Sequence, residues 1–334
     1  MTGRIDIQLL VTKSMAEFAC GKILGTQELG YRRGVPRGGG PYILISKKFI
    51  EMFPPLSQTI RNDRFYIDVV YNNNVTKATC AYVYHNDKHI DNPASGRDEY
   101  RLYLNQSIHP GEQVFKPDDW VFFRQIPNSQ GECVVHIQHY SSNSIDIEGI
   151  SPLVRPISKD ARNRNFYCDS NVLPKIQNFS TLEMLPTIDD SLANHVKSAS
   201  SRANREMSQA QFRAFVMKSY EDKCAITGQA ITFGGLNNCE AAHIRPHAHD
   251  GPMLPDNGVP LSRDLHWAFD RGMFTIEDDG CIKVHPEVMD TSLNQINGQH
   301  LRKPSPTWSS FAPKGEYLRW HRENFFGKFL RSTA

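Results

Sequence analysis

CAITGQAITFGGLNNCEAAHIRPHAHDGPMLPDNGVPLSRDLHWAFDRGMFTI, residues 224–276, is the stretch on which the reading of this chain turns. His243 precedes Asn257 by fourteen residues, Asn257 precedes His266 by nine, and Asp270 follows four later. That spacing predicts a strand, a loop and a helix that converge on one metal ion and one general base. His266 and Asp270, four apart on the predicted helix, project from one face and suit one divalent ion. A neutral imidazole with an ordinary pKa of about 6.5 suits His243 to the role of base.

Outward from this stretch the pattern divides in two. In SQAQFRAFVMKSYEDKC, Phe212, Phe215, Val216 and Tyr220 recur at helical steps and form one apolar stripe. Ser208 is placed to cap that helix, with Gln211 at capping-box spacing. KGEYLRWHRENFFGKFL predicts a closing helix that buries Leu318, Trp320 and Phe325. Residues 1–155 instead read as short strands, among them PYILISKKFIEMF, RFYIDVVYN, ATCAYVYHN, EYRLYLN and WVFFRQI, separated by Gly, Pro, Asn and Asp. Their length and their β-branched and aromatic content fit a barrel or sandwich. Residues 156–200 lose that pattern and read as a polar connector with some local structure, leaving 201–334 as a second domain.

The whole chain bounds the choices. Its 334 residues suffice for two domains, and 39% hydrophobic against 22% charged content marks a folded globular chain. No run of about eighteen apolar residues predicts a membrane span, and the N-terminus lacks the apolar core of a secretory leader. Seven cysteines without repeating spacing fit a reducing cytoplasm. A formal charge of +2 excludes no partner, because nucleic-acid binding depends on where the basic residues cluster.

The residues then point to a family. Gln211-Phe212-Arg213, Cys224-Ala225-Ile226-Thr227-Gly228, Glu240-Ala241-Ala242-His243-Ile244-Arg245-Pro246, Asn257-Gly258, Leu261, His266, Phe269-Asp270 and Gly272 resemble the restriction-enzyme-like branch of the HNH nucleases, over residues 208–330. The resemblance implies phosphodiester hydrolysis: His243 deprotonates a water, and Asn257 fixes His243 or its backbone. His266 and Asp270 would hold a divalent cation, Mg²⁺ foremost, that stabilises the leaving oxygen. Many relatives carry Asp or His directly before the base histidine, where this chain has Ala242. Glu240, two residues earlier on the same strand face, is the candidate replacement. Cys224 and Cys239 lack the CxxC pairing of a four-ligand zinc site and read as buried apolar residues. His247 and His249 read as loop-packing or phosphate-contacting side chains.

A second resemblance covers residues 20–125. Ile50-Glu51-Met52-Phe53-Pro54-Pro55-Leu56, the strand RFYIDVVY, Tyr84-His85-Asn86 and Arg97-Asp98-Glu99-Tyr100-Arg101 look like the amino-terminal domain of the restriction enzyme EcoRII. That implies a DNA-binding pseudobarrel gripping the major groove with two arms. One arm would carry Arg32, Arg33 and Arg37, the other Arg97, Glu99, Tyr100 and Arg101. Arginine forks read guanine edges or clamp phosphates. The first arm is rich in Arg, Gly and Pro where the family is more polar, so no base preference carries over.

The expectation is therefore an α+β chain with a DNA-reading pseudobarrel and a ββα-metal HNH nuclease domain flanked by helices. It would act as a cytoplasmic restriction endonuclease on double-stranded DNA. One HNH site cuts one strand, so a homodimer on a palindrome is expected. The competing readings are a modification-dependent endonuclease and, given Ala242, a catalytically silent DNA-binding regulator.

Overall fold

The computed structural model describes residues 18–26, 28–29, 31–32, 35–36, 41–72, 76–94, 96–108, 114–127, 133–157, 164–173, 185–193 and 207–328. The chain divides into two compact units, Met1–Ala203 and Asn204–Ala334.

The first unit contains strands β1 (Phe18–Ile23), β2 (Tyr31–Arg32), β3 (Val35–Pro36), β4 (Tyr42–Ile45), β5 (Arg64–Tyr71) and β6 (Thr76–His85). It continues with β7 (Glu99–Tyr103), β8 (Trp120–Pro127), β9 (Cys133–Tyr140), β10 (Arg155–Pro156) and β11 (Asn165–Asp169). Nine of these form one curled sheet in the order β10-β11-β1-β8-β9-β5-β6-β7-β4, parallel only between β5 and β9. Accumulated right-handed twist over nine strands favours such curling, which encloses one face as a core. Period-two alternation then places Ile67, Val69, Cys80, Tyr82, Tyr84, Tyr100 and Leu102 in that core. The Phe-Pro-Pro-Leu segment contributes Phe53, stacked on Tyr82 at 4.9 Å between centroids, while Tyr84 stacks on Tyr100 at 4.3 Å.

On the other face, the short helix Ile145–Ile150 sets Ile147 and Ile150 with Phe122 and Phe166. Here the structure corrects the sequence reading. Asn165–Asp169, inside the stretch read as a connector, is an interior strand between β10 and β1. Its apolar alternation is only five residues long and sits among polar flanks, too short a signal to stand out.

The second unit begins with a helix, Gln209–Ser219, capped reciprocally: Ser208 Oγ accepts from Gln211 N, and Gln211 Oε1 accepts from Ser208 N, each at 3.2 Å. Strands β12 (Thr232–Phe233) and β13 (Leu236–Asn237) make a small hairpin turned by Gly234 and Gly235, both at positive φ. Strand β14 (Cys239–His243) pairs antiparallel with β15 (Gly258–Ser262), which leads into the helix Arg263–Asp270. Strands β16 (Phe274–Ile276) and β17 (Ile282–Val284) and the helix Gly315–Asn324 complete the unit.

Its core collects Cys224, Cys239, Ala242, Val259, Leu261, Phe269 and Leu318. Trp320, expected inside, is only half-buried, and its ring lies under the Arg245 guanidinium at 5.4 Å. Phe325 is buried but follows the helix as its C-cap. Among the described residues no helix is long and apolar enough to cross a membrane.

Candidate active site

The strand–loop–helix anticipated from the spacing is present, and each expected side chain has a structural reason for its place. His243 is the last residue of β14, opposite Gly258 of β15. Its ring stacks face to face on Phe212 of the capped helix, with centroids 4.0 Å apart and planes 9° from parallel. Gly258 makes that approach possible: a Cβ there would fall 2.5 Å from Val216 Cγ2 and 2.8 Å from Phe212 Cζ. The His243 Nε2 faces Met253 Sδ at 3.3 Å, a weak acceptor. Burial, reinforced by the nearby His247 and His266, pushes the His243 pKa down to about 4.

Asn257 is fully buried and closes the loop between the two strands. Its Nδ2 donates to Arg245 O at 2.9 Å and Pro252 O at 3.0 Å, and its Oδ1 accepts from Arg245 N at 2.9 Å. Its own carbonyl accepts from Ile244 N at 2.9 Å. The side chain therefore fixes the backbone two residues beyond His243 and again at Pro252.

Glu240, His266 and Asp270 are drawn together across β14 and the helix Arg263–Asp270. His266 Nδ1 lies 3.1 Å from Glu240 Oε2, and its Nε2 lies 3.4 Å from Asp270 Oδ2. Arg263 Nε donates to the other Glu240 oxygen at 3.0 Å. For Glu240, desolvation works upward, but the hydrogen bonds from His266 and Arg263 outweigh it and hold the carboxyl below its ordinary value. Desolvation raises Asp270, against His266 and Arg271 and with Glu240 adding to the rise. The donor types, two carboxylates and an imidazole, suit a hard divalent ion. Among the described residues, however, no three His, Cys, Asp or Glu side chains are already arranged around a common metal position. The two ring nitrogens of His266 face the two carboxylates, so an ion bound here would enter between groups already in contact.

Sequence reading missed the contribution of Phe212 and Met253 to the setting of His243. Phe212 was visible only as one member of an apolar stripe, and nothing local marks Met253. His247 and His249 form a short 3₁₀ turn, His249 lying against Trp320 and Phe325 at 5.4 and 5.5 Å, in keeping with packing.

The residues expected to read DNA are distributed differently. Arg33 and Arg37 lie outside the described residues, and of Arg32 only its place in β2 is described. Arg97 is exposed, 3.9 Å from Glu99. Tyr100 is 3% exposed and belongs to the barrel core, so it is not a surface contact. Arg101 is also buried, lying over the Tyr42 ring at 4.0 Å and donating to Glu99. Strand β7 is covered on both faces, which hides the alternation that would separate surface from core residues.

Residues 224–277 match the family model described as HNH endonuclease. No curated protein matches the chain. Among solved structures, the chain is similar to the B3 domain of the UbaLAI restriction endonuclease with cognate DNA. The identity is 16% and the TM-score 0.31, over 49% of this chain and 98% of that one. It is also similar to the modification-dependent TagI restriction endonuclease, at 16% identity and a TM-score of 0.30, over 71% of this chain and 59% of that one. The chain thus spans 59% of the length of TagI. With likenesses this distant, the weight rests on the family match and on the geometry that agrees with it: residues 224–277 are an HNH endonuclease domain.

Proposed function

We propose that this chain is a sequence-specific DNA endonuclease of the restriction type. The observation that carries the reading is the pairing of a half-buried His243 with a carboxylate–imidazole–carboxylate chain that runs from Glu240 on the same strand to His266 and Asp270 on the neighbouring helix. With a pKa of about 4, His243 is neutral near pH 7 and able to accept a proton. Its Nε2 carries the hydrogen toward Met253, which leaves the Nδ1 lone pair for a water; Nδ1 has no protein partner among the described residues. As the water oxygen bonds to phosphorus, its proton passes to Nδ1 and the bond to the leaving oxygen breaks. An approaching anionic phosphodiester favours the imidazolium and raises the basicity of His243 during the step.

Glu240, His266 and Asp270 are the residues that would hold a divalent ion, Mg²⁺ in the simplest case. When bound, such an ion supplies Lewis acidity to the scissile phosphate. Asn257 keeps the backbone beyond His243 fixed, so that the base does not drift from the water it must activate. The first unit is assigned to DNA selection, with exposed Arg97 among the contacts. Two copies would act together to cut both strands.

The test is incubation of the purified protein with Mg²⁺ and plasmid from methylating and non-methylating hosts, followed by sequencing of the ends. Discrete cuts in unmodified DNA, absent in His243→Ala, are expected. Cuts confined to modified DNA would replace sequence specificity by modification dependence. Binding without cleavage in any divalent ion would make the chain a DNA-binding protein without nuclease activity, and a strictly monomeric nicking enzyme would remove the dimer.

A further inference from the structure

The helix that carries His266 presents a second row of side chains that the proposed hydrolysis does not use. Arg263, Trp267 and Arg271 follow one another at intervals of four, so they share one flank of this helix and its C-terminal cap. His266 and Asp270 are each the residue just before a member of this row. Trp267 is 52% exposed, although an indole is ordinarily among the most buried side chains. The Arg271 guanidinium lies 4.4 Å from the Trp267 ring centroid, and its Nη1 donates to Trp267 O at 3.2 Å.

Arg263 has a different attachment. Its side chain is 70% exposed and is tied through Nε to Glu240, the carboxylate that also meets His266. Its two terminal nitrogens have no protein partner among the described residues. A guanidinium held by its Nε with both terminal nitrogens facing solvent retains the fork that suits a phosphate.

We infer that Arg263, Trp267 and Arg271 form a cradle for the backbone of the DNA strand being cut. The two guanidinium groups take phosphates, and the Trp267 ring stacks on a sugar or base between them. Eight residues of helix span about 12 Å, or roughly three to four nucleotide steps of one strand. Charge complementarity selects a polyanion, and the aromatic between the cations suits the alternation of phosphate with apolar sugar and base faces. A phosphate on the terminal nitrogens of Arg263 leaves its Nε on Glu240, so binding and the carboxylate–imidazole chain are connected through one side chain. The inference rests on the nuclease reading and extends it by naming where the substrate strand lies.

The test uses the full-length protein in EDTA and a duplex without a preferred site, with affinity measured by anisotropy across a salt series. Arg271→Gln should lower the slope of log affinity against log salt by about 0.9, and the double variant Arg263→Gln/Arg271→Gln by about 1.8. Trp267→Ala should weaken binding roughly tenfold. Added DNA should also protect tryptophan emission from acrylamide in the parent but less so in Trp267→Ala. Unchanged urea midpoints in Arg271→Gln and Trp267→Ala would separate these effects from misfolding.

Slopes equal to the parent's, with Trp267 as open to quencher as before, would overturn the cradle even if the enzyme cuts DNA. If the row instead serves an acidic protein surface, that same result is expected. Conversely, a protein that cuts nothing yet shows the predicted slopes would keep the DNA surface and lose the nuclease reading.

Discussion

Replacing Asn257 with alanine removes three hydrogen bonds; Arg245 N and Arg245 O lose their partner, while Pro252 O keeps the Leu254 backbone N–H. Each buried backbone group left unsatisfied costs about 1–3 kcal/mol. Arg245 is only half-buried, so water recovers part of this, and a total of about 2–4 kcal/mol follows. Against a usual domain stability of about 5–15 kcal/mol, the variant should fold but be marginal. Urea denaturation followed by tryptophan emission is the assay, because three of the four tryptophans (Trp267, Trp308 and Trp320) lie in the second unit. With a urea slope of about 2 kcal/mol per molar, the midpoint should fall by roughly 1–2 M.

Cleavage should suffer as well, since a base displaced by about 1 Å loses on the order of a hundredfold in rate. Asn257→Asp sharpens the test. It keeps the acceptor for Arg245 N but sets a carboxylate against two carbonyls, so it should be less stable than alanine at neutral pH and recover on acidification, when the protonated acid can donate to one of them. A midpoint for Asn257→Ala within about 0.3 M of wild type would show that the three bonds contribute nothing net, and the clamp would be refuted.

Other outcomes follow from the same structure. His321 donates through Nε2 to Phe269 O at 3.2 Å and meets the Thr275 hydroxyl at 2.9 Å; burial pushes its pKa down to about 4, opposed by the Phe269 carbonyl and aided by Arg322. Because the unfolded ring titrates near 6.5, the unfolded state holds the extra proton between about pH 6.5 and 4. Stability from His321 is therefore complete above that window and declines by up to ~3 kcal/mol on acidification through it, which urea midpoints between pH 7 and 4.5 will read; a flat profile contradicts the assignment. Glu240→Gln and Asp270→Asn should each weaken Mn²⁺ binding in calorimetric titration by at least about tenfold, and unchanged affinity in both would move the ion elsewhere. Ser208→Ala removes half of the capping box and should lower the stability of the second unit by about 1 kcal/mol, read as a shift in the same urea transition.

The second unit was legible because its signals are local. The capping box spans four residues, the apolar stripe of Phe212, Phe215 and Val216 lies on one helix, and His266 and Asp270 are one helical turn apart. Glu240 was reachable from strand alternation once Ala242 was seen to lack a ligating side chain. What could not be read are meetings between distant segments: the face-to-face packing of Phe212 on His243, or the arrival of Met253 Sδ at Nε2. In the first unit, strands β4 to β8 were visible from their β-branched and aromatic content. Tyr100 and Arg101 were misjudged because an Arg-Asp-Glu-Tyr-Arg run looks exposed when taken alone. The ring contacts of Tyr84 and Tyr42 that bury these residues come from two other strands.

The apolar side chains of the curled sheet and those around the paired strands β14 and β15 form two cores with no member in common. A substitution within one core therefore removes no side chain from the other. Under the proposed function that is a practical advantage: variants can accumulate around the sheet while the core beneath the HNH segment keeps its packing. Under that proposal the same partition makes exchange of the amino-terminal half, with the seam near Ala203 and Asn204, a recombination route to new specificities.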